Sequence, residues 1–185
     1  MARTALVVID MINAYDHPDA EKLTESVREA LPAMTALIDR AAEEEVLTIY
    51  VNDNFGAWNS NRDELVETAL QSPHAELIEA IRPKEDTAFV VKARHSIFYE
   101  TPLAYLLAQE EVDRLVLIGQ ATEQCVLYSA LDAHIRHLDV VVPPDACAHI
   151  HPDLAEAALR MMEVNMGAEI CPAESVSFDR RLARR

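Results

Sequence analysis

Short apolar runs, each stopped by a polar residue, a glycine or a proline, set the pattern of this chain. They are TALVVID (residues 4–10), VLTIYV (46–51), TAFVV (87–91), LVLI (115–118) and LDVVV (138–142), with a shorter AEIC (168–171) near the end. Between them apolar residues recur three and four apart, over residues 24–41, 73–81, 103–109, 126–133 and 154–162. Continuous apolar runs suit strands buried on both faces of a parallel sheet, and a 3.6-residue period suits helices. Their alternation predicts an α/β fold, a parallel sheet with helices on both faces and right-handed crossovers. Half of the 185 residues are apolar, enough for the core of one domain spanning 1–185.

Local signals refine this frame. Thr24 is expected to cap the first long helix, with Pro32 marking a kink or a break. Residues 52–72 carry Gly56, Trp58 and several Asn, with a helical turn or more over 65–71, and form a candidate binding loop. Thr101-Pro102 and His151-Pro152 open helices, and Gly167 closes one.

Charge and composition exclude several functions. A formal net charge of −16 argues against nucleic acid and against anionic membrane surfaces. No window approaches eighteen consecutive apolar residues, and the chain enters a strand pattern at residue 4, so a soluble, cytoplasmic protein is expected. Cys125, Cys147 and Cys171 are odd in number and lack metal-type spacing, which makes a disulfide framework or zinc site an unfavourable reading. Cys147 and Cys171 lie in apolar surroundings and read as core. The basic segment 180–185 reads as a frayed terminus or as a cationic arm docking on an acidic surface.

In parallel sheets of this kind ligands bind beyond the carboxyl ends of the strands, near the point where strand order reverses. Three chemically useful residues fall on that rim. Asp10 ends the first strand, Lys92 follows the third, and Cys125 lies just past the fourth, in a helical start for which Thr122 is the expected N-cap. The positive end of a helix favours thiolate, so Cys125 is expected to ionise readily. Asp10 can move a proton, Lys92 can hold negative charge, and backbone amides can receive an oxyanion. Singly, each has a plainer role: Asp10 as a cap, Lys92 as a solvated strand end, Cys125 as a small buried hydrophobe.

The turn GQATEQCV (119–126) resembles the nucleophile turn of the isochorismatase-like cysteine hydrolases, the superfamily that includes nicotinamidases and carbamoylsarcosine amidohydrolases. Asp10-Met11-Ile12-Asn13 is similar to the motif after the family's first strand, and residues 92–98 (KARHSIF) to its lysine motif. Asp132-Ala133 and Asp145-Ala146 match in place. The resemblance implies a three-layer α/β/α fold with a six-stranded parallel sheet, and a catalytic triad of Asp10, Lys92 and Cys125. It further implies a cis peptide between Gln120 and Ala121, an oxyanion hole from the Ala121 and Cys125 amides, and a homo-oligomer, dimer or tetramer.

Nicotinamidases of this family carry Asp-x-His after the second strand and a further His for a metal, whereas this chain has Asp53-Asn54-Phe55 and a lone His74 nearby. No metal and no cofactor are therefore expected, and nicotinamidase activity is disfavoured. A small-molecule substrate with an amide, lactam or carbamoyl C–N bond is the favoured reading, with Asp10 carrying the proton and a thioester forming on Cys125. Asn13, Tyr15, Phe55, Trp58, Phe98 and Tyr128 are the pocket candidates, each aromatic being as suited to core packing. The alternatives are a vinyl-ether hydrolase of isochorismatase type, in which Cys125 is incidental, and a non-catalytic binding protein on the same fold. A papain-like Cys–His pairing is weaker, because no histidine lies in a recognisable pairing motif.

Overall fold

The computed structural model describes residues 3–179; the basic segment 180–185 lies outside the described residues. Six strands form one all-parallel sheet in the order β3-β2-β1-β4-β5-β6. They are β1 (Arg3–Ile9), β2 (Leu47–Asp53), β3 (Ala88–Lys92), β4 (Val112–Gly119), β5 (Asp139–Val142) and β6 (Glu169–Ile170). The helices are α1 (Ala20–Glu43), α2 (Arg62–Leu70), α3 (Ala75–Glu79), α4 (Leu103–Gln109), α5 (Leu127–Ile135) and α6 (Pro152–Met166).

Side-chain alternation divides the core. From β1, Leu6 and Val8 point into one apolar layer, built with Val27, Met34 and Leu37 of α1, Leu65 of α2 and Leu77 of α3. Ala5, Val7 and Ile9 point into the other, built with Leu103 of α4, Ala130 of α5 and Met162 of α6. A strand covered on both sides has no reason to carry polar residues, and β1 is apolar from Ala5 to Ile9. The architecture is the expected three layers.

One helical signal is corrected, and at Pro32 the break is excluded. Helix α1 starts at Ala20 with Asp19 at its N-cap, and Thr24 is instead buried, its hydroxyl donating to the Glu21 carbonyl. The same helix continues through Pro32, because the residues beyond it, Met34, Leu37 and Ala41, are core residues whose burial outweighs the lost backbone bond. Among the described residues no helix is long and apolar enough to cross a membrane.

Chain order reverses at β1. From it the sheet grows through β2 to β3 on one side, and through β4 to β5 and β6 on the other. The crevice between the ends of β1 and β4 is therefore the expected ligand position.

Candidate active site

Asp10 is the residue after β1, buried, in a left-handed conformation (φ 55°). Its amide still donates to the Val51 carbonyl, and its carboxylate is held from two sides. The Asp53 amide donates to Oδ1 (2.7 Å), and Lys92 Nζ lies 2.8 Å from Oδ2. Lys92 ends the edge strand β3, in register with Asp53 of β2. To reach Asp10 its side chain passes over β2, and in doing so it becomes fully buried, with 0% of the side chain exposed. Nζ has three neighbours for its three hydrogens: Asp10, Asp53 Oδ2 at 3.3 Å, and Cys125 Sγ at 3.6 Å.

Cys125 is delivered by the end of β4. Gly119 has φ +119° there, and a Cβ on it would stand 2.2 Å from the Ile9 carbonyl oxygen, so only glycine lets β4 close on β1. The Gln120–Ala121 peptide bond is cis. Gln120 ties the turn to β1, its backbone amide donating to Ile9 O (3.0 Å) and its side-chain amide to Asp10 O (2.6 Å). Residues Thr122–Val126 then make a single π-helical turn before α5. Thr122 does not cap it. Its hydroxyl and its amide both donate to the Ala148 carbonyl, which pins the turn to the segment after β5. Buried Glu123 adds a second tie, Oε1 accepting from the Ile150 and His151 amides.

The electrostatics correct the expected ready thiolate. Burial pushes the Cys125 thiol up and the neighbouring Asp10 carboxylate pushes it further, against the pull of Lys92. Burial also raises Asp10, opposed by Lys92 and by its hydrogen bond with Cys125, while Asp53 adds to the rise. For Lys92, burial works downward, but Asp10, Cys125 and Asp53 outweigh it and hold the ammonium above the ordinary lysine value. The arrangement is a buried ammonium in contact with both the Asp10 carboxyl group and the Cys125 sulfur.

The pocket candidates separate. A cavity of about 470 Å³ runs past Lys92 and is lined also by Asn54, Trp58, Arg94 and Tyr99, with Trp58 86% exposed. A second, of about 320 Å³, is lined by Ile12, Phe55 and Leu65. Tyr128 is exposed on α5 beside the His95 ring. Asn13, Tyr15 and Phe98 are buried and each has a local contact. Asn13 Oδ1 accepts from the Tyr15 amide, Tyr15 is buried edge-on to His74, and Phe98 is buried with Arg136 over its ring. Cys147 is buried as expected; Cys171 is half-buried, packed at the margin of the core beside Glu169.

Two residues at the site were not singled out from the sequence. Asp53 shares Lys92 with Asp10, and its other oxygen accepts from the Phe55 amide. His95 Nδ1 lies 3.7 Å from Cys125 Sγ. Asp53 is legible only once the β2–β3 register is known, and His95 only once the loop after β3 is traced. Among the described residues no three His, Cys, Asp or Glu side chains gather as metal ligands.

A sequence profile of the isochorismatase domain matches residues 4–175. An uncharacterized isochorismatase family protein of Bacillus subtilis is 32% identical over 95% of this chain and 97% of its own length. The maleamate amidohydrolase of Pseudomonas putida is 26% identical, over 98% of this chain and 89% of its own. Among solved structures, an isochorismatase family protein from Desulfovibrio vulgaris superposes with a TM-score of 0.77 at 28% identity, covering 100% of both chains. The N-carbamoylsarcosine amidase of Thermoplasma acidophilum superposes at 0.72 with 26% identity, over 95% of this chain and 99% of its own. On the matched span and the similarity to these relatives, the chain belongs to the isochorismatase family of hydrolases.

Proposed function

We propose that this chain hydrolyses an amide-type C–N bond of a small molecule through a thioester on Cys125. The observation that carries the reading is the buried Lys92 ammonium, in contact at once with Asp10, Asp53 and the Cys125 sulfur. A lysine is costly to bury, and here it serves to keep a carboxylate charged next to a thiol. As sulfur attacks the carbonyl carbon, the thiol proton passes to Asp10 and the negative charge moves toward the substrate oxygen. The Ala121 amide, just before the π-helical turn, and the Cys125 amide within it are the donors assigned to that oxygen. The C–N bond breaks as the nitrogen takes up a proton, and water then opens the thioester to the acid, giving up a proton in turn, while Asp10 returns its own to the sulfur. Lys92 compensates charge in every state.

The similar proteins named for their reactions, the maleamate and ureidoacrylate amidohydrolases and the N-carbamoylsarcosine amidase, support the bond type. Phe55, Trp58 and Tyr128, exposed aromatics, are the residues assigned to substrate shape. The test is ammonium release from maleamate, ureidoacrylate and N-carbamoylsarcosine, with nicotinamide as the expected poor substrate. Turnover of at least one by the wild type and of none by Cys125→Ala is expected. Turnover that survives Cys125→Ala, or a wild type inert toward all amides, contradicts the reading.

A further inference from the structure

In the mechanism above a single carboxylate handles the sulfur proton, and it stands on the inner side of the nucleophile. Asp10 is buried between Lys92 and the Asp53 amide, whereas the leaving nitrogen must depart, and water must enter, on the solvent side. His95 occupies that side. Its ring is exposed, its Nδ1 is 3.7 Å from Cys125 Sγ, and it packs against Tyr128 at 5.4 Å between ring centroids.

The position of His95 is built by its neighbours. The Ser96 hydroxyl donates to Asp132 Oδ2, the Ile97 amide donates to Ser129 Oγ (3.1 Å), and the Arg136 guanidinium lies over the Phe98 ring at 4.6 Å. All three partners belong to α5 or its immediate end, and α5 continues the turn that carries Cys125. Three successive residues of the loop after β3 are thus fastened to the element that holds the nucleophile, and His95 directly precedes them.

We infer that His95 is a second proton carrier of this reaction, acting on the nitrogen and on water while Asp10 acts on sulfur. The inference rests on the cysteine hydrolase reading. In the first half, the S–C bond forms as the Cys125 proton moves to Asp10. The C–N bond then breaks as the imidazolium of His95 gives its proton to the nitrogen. In the second half, water adds to the thioester carbonyl and gives a proton to the now neutral His95. The C–S bond breaks and Asp10 returns its proton to sulfur. Both groups regain their starting states, and the sum is amide plus water giving acid plus amine. Leaving group and incoming water occupy the same place, so one group serves both.

The test compares an amide with an ester whose leaving group needs no proton. The probes are whichever of the amides above the wild type turns over, and p-nitrophenyl acetate. His95→Ala and His95→Gln are expected to lose about 10²- to 10⁴-fold in amide turnover. Both are expected to keep the initial burst of p-nitrophenolate within a few fold of wild type, while the following steady state slows, since there the exposed imidazolium releases its proton to solvent before accepting one from water. Added imidazole is expected to restore part of the His95→Ala amide activity, since the site is open to solvent. Equal loss of burst and amide turnover, or full activity in His95→Gln, overturns the inference, because packing or a hydrogen bond alone would then suffice. Amide turnover that depends on Cys125 but is indifferent to His95 overturns this inference only. A wild type with neither turnover nor burst overturns the cysteine hydrolase reading and this inference with it.

Discussion

Cys125 and Cys147 follow adjacent strands, β4 and β5, at the same rim of the sheet, and burial pushes both thiols up, Cys147 to about 12. Their surroundings differ in one respect. Cys147 Sγ faces the Leu117 carbonyl, which accepts its proton in a hydrogen bond but cannot take it. Cys125 faces a carboxylate that can take the proton and an ammonium that can stabilise what remains. Burial alone gives an inert sulfur. In the proposed reaction, burial together with a carboxyl group and a cation in contact gives a sulfur that can release its proton during attack, with little solvent to reorganise.

The largest test of that contrast exchanges each sulfur. Cys125→Ala is expected to lower turnover by at least about 10⁴-fold, as removal of a nucleophile from a coupled triad does. Cys147→Ala is expected to leave kcat within a few fold and to appear in the unfolding midpoint instead, through a small cavity. Loss of activity in both would mean that the rim acts as one packed unit and that the contrast is false.

Removing the cation comes next. Lys92→Met leaves Asp10 and Asp53 facing each other without their shared partner, and the cost to stability is expected to be about 3–5 kcal/mol by denaturant unfolding. Activity is expected to fall with it. A smaller effect lies in the pH dependence of stability. The folded-state pKa of Lys92 is raised, so its contribution is fully present below the ordinary lysine value of about 10.5 and is lost as pH rises through the folded value. Wild type is therefore expected to lose stability at strongly alkaline pH, and Lys92→Met to lack that increment. Asp10, also raised, has its stabilising contribution at low pH and loses it on ionisation, so mild acid does not destabilise the site through this group.

Much of the frame was legible because its signals are local. Apolar runs that end at Asp10, Lys92 and Gly119 locate three strand ends, and the alternation of elements places those ends on one rim. Geometry that depends on strand order was not legible. Lys92 is useful because β3 is the edge strand and its side chain crosses β2, which also brings Asp53 into the site. Thr122 reads as a cap because threonine favours that place, but the Ala148 carbonyl, on a segment 26 residues away, captures its hydroxyl. The thiol of Cys125 was misread for a related reason. A helix start close in sequence favours thiolate, whereas burial and the Asp10 charge, both products of tertiary structure, dominate. The packing of Tyr15 against His74 and of Phe98 under Arg136 joins segments far apart in the chain, and was not legible either.

The central claim is that Cys125 carries the acyl group. The most direct measurement is intact-protein mass spectrometry on enzyme quenched with acid during turnover of its best amide, followed by peptide mapping. The account predicts an added acyl mass on Cys125, none on Cys147 or Cys171, and its absence in Asp10→Asn, in which the proton acceptor is gone. Turnover without any adduct in wild type, or an adduct formed as fast in Asp10→Asn, would contradict it.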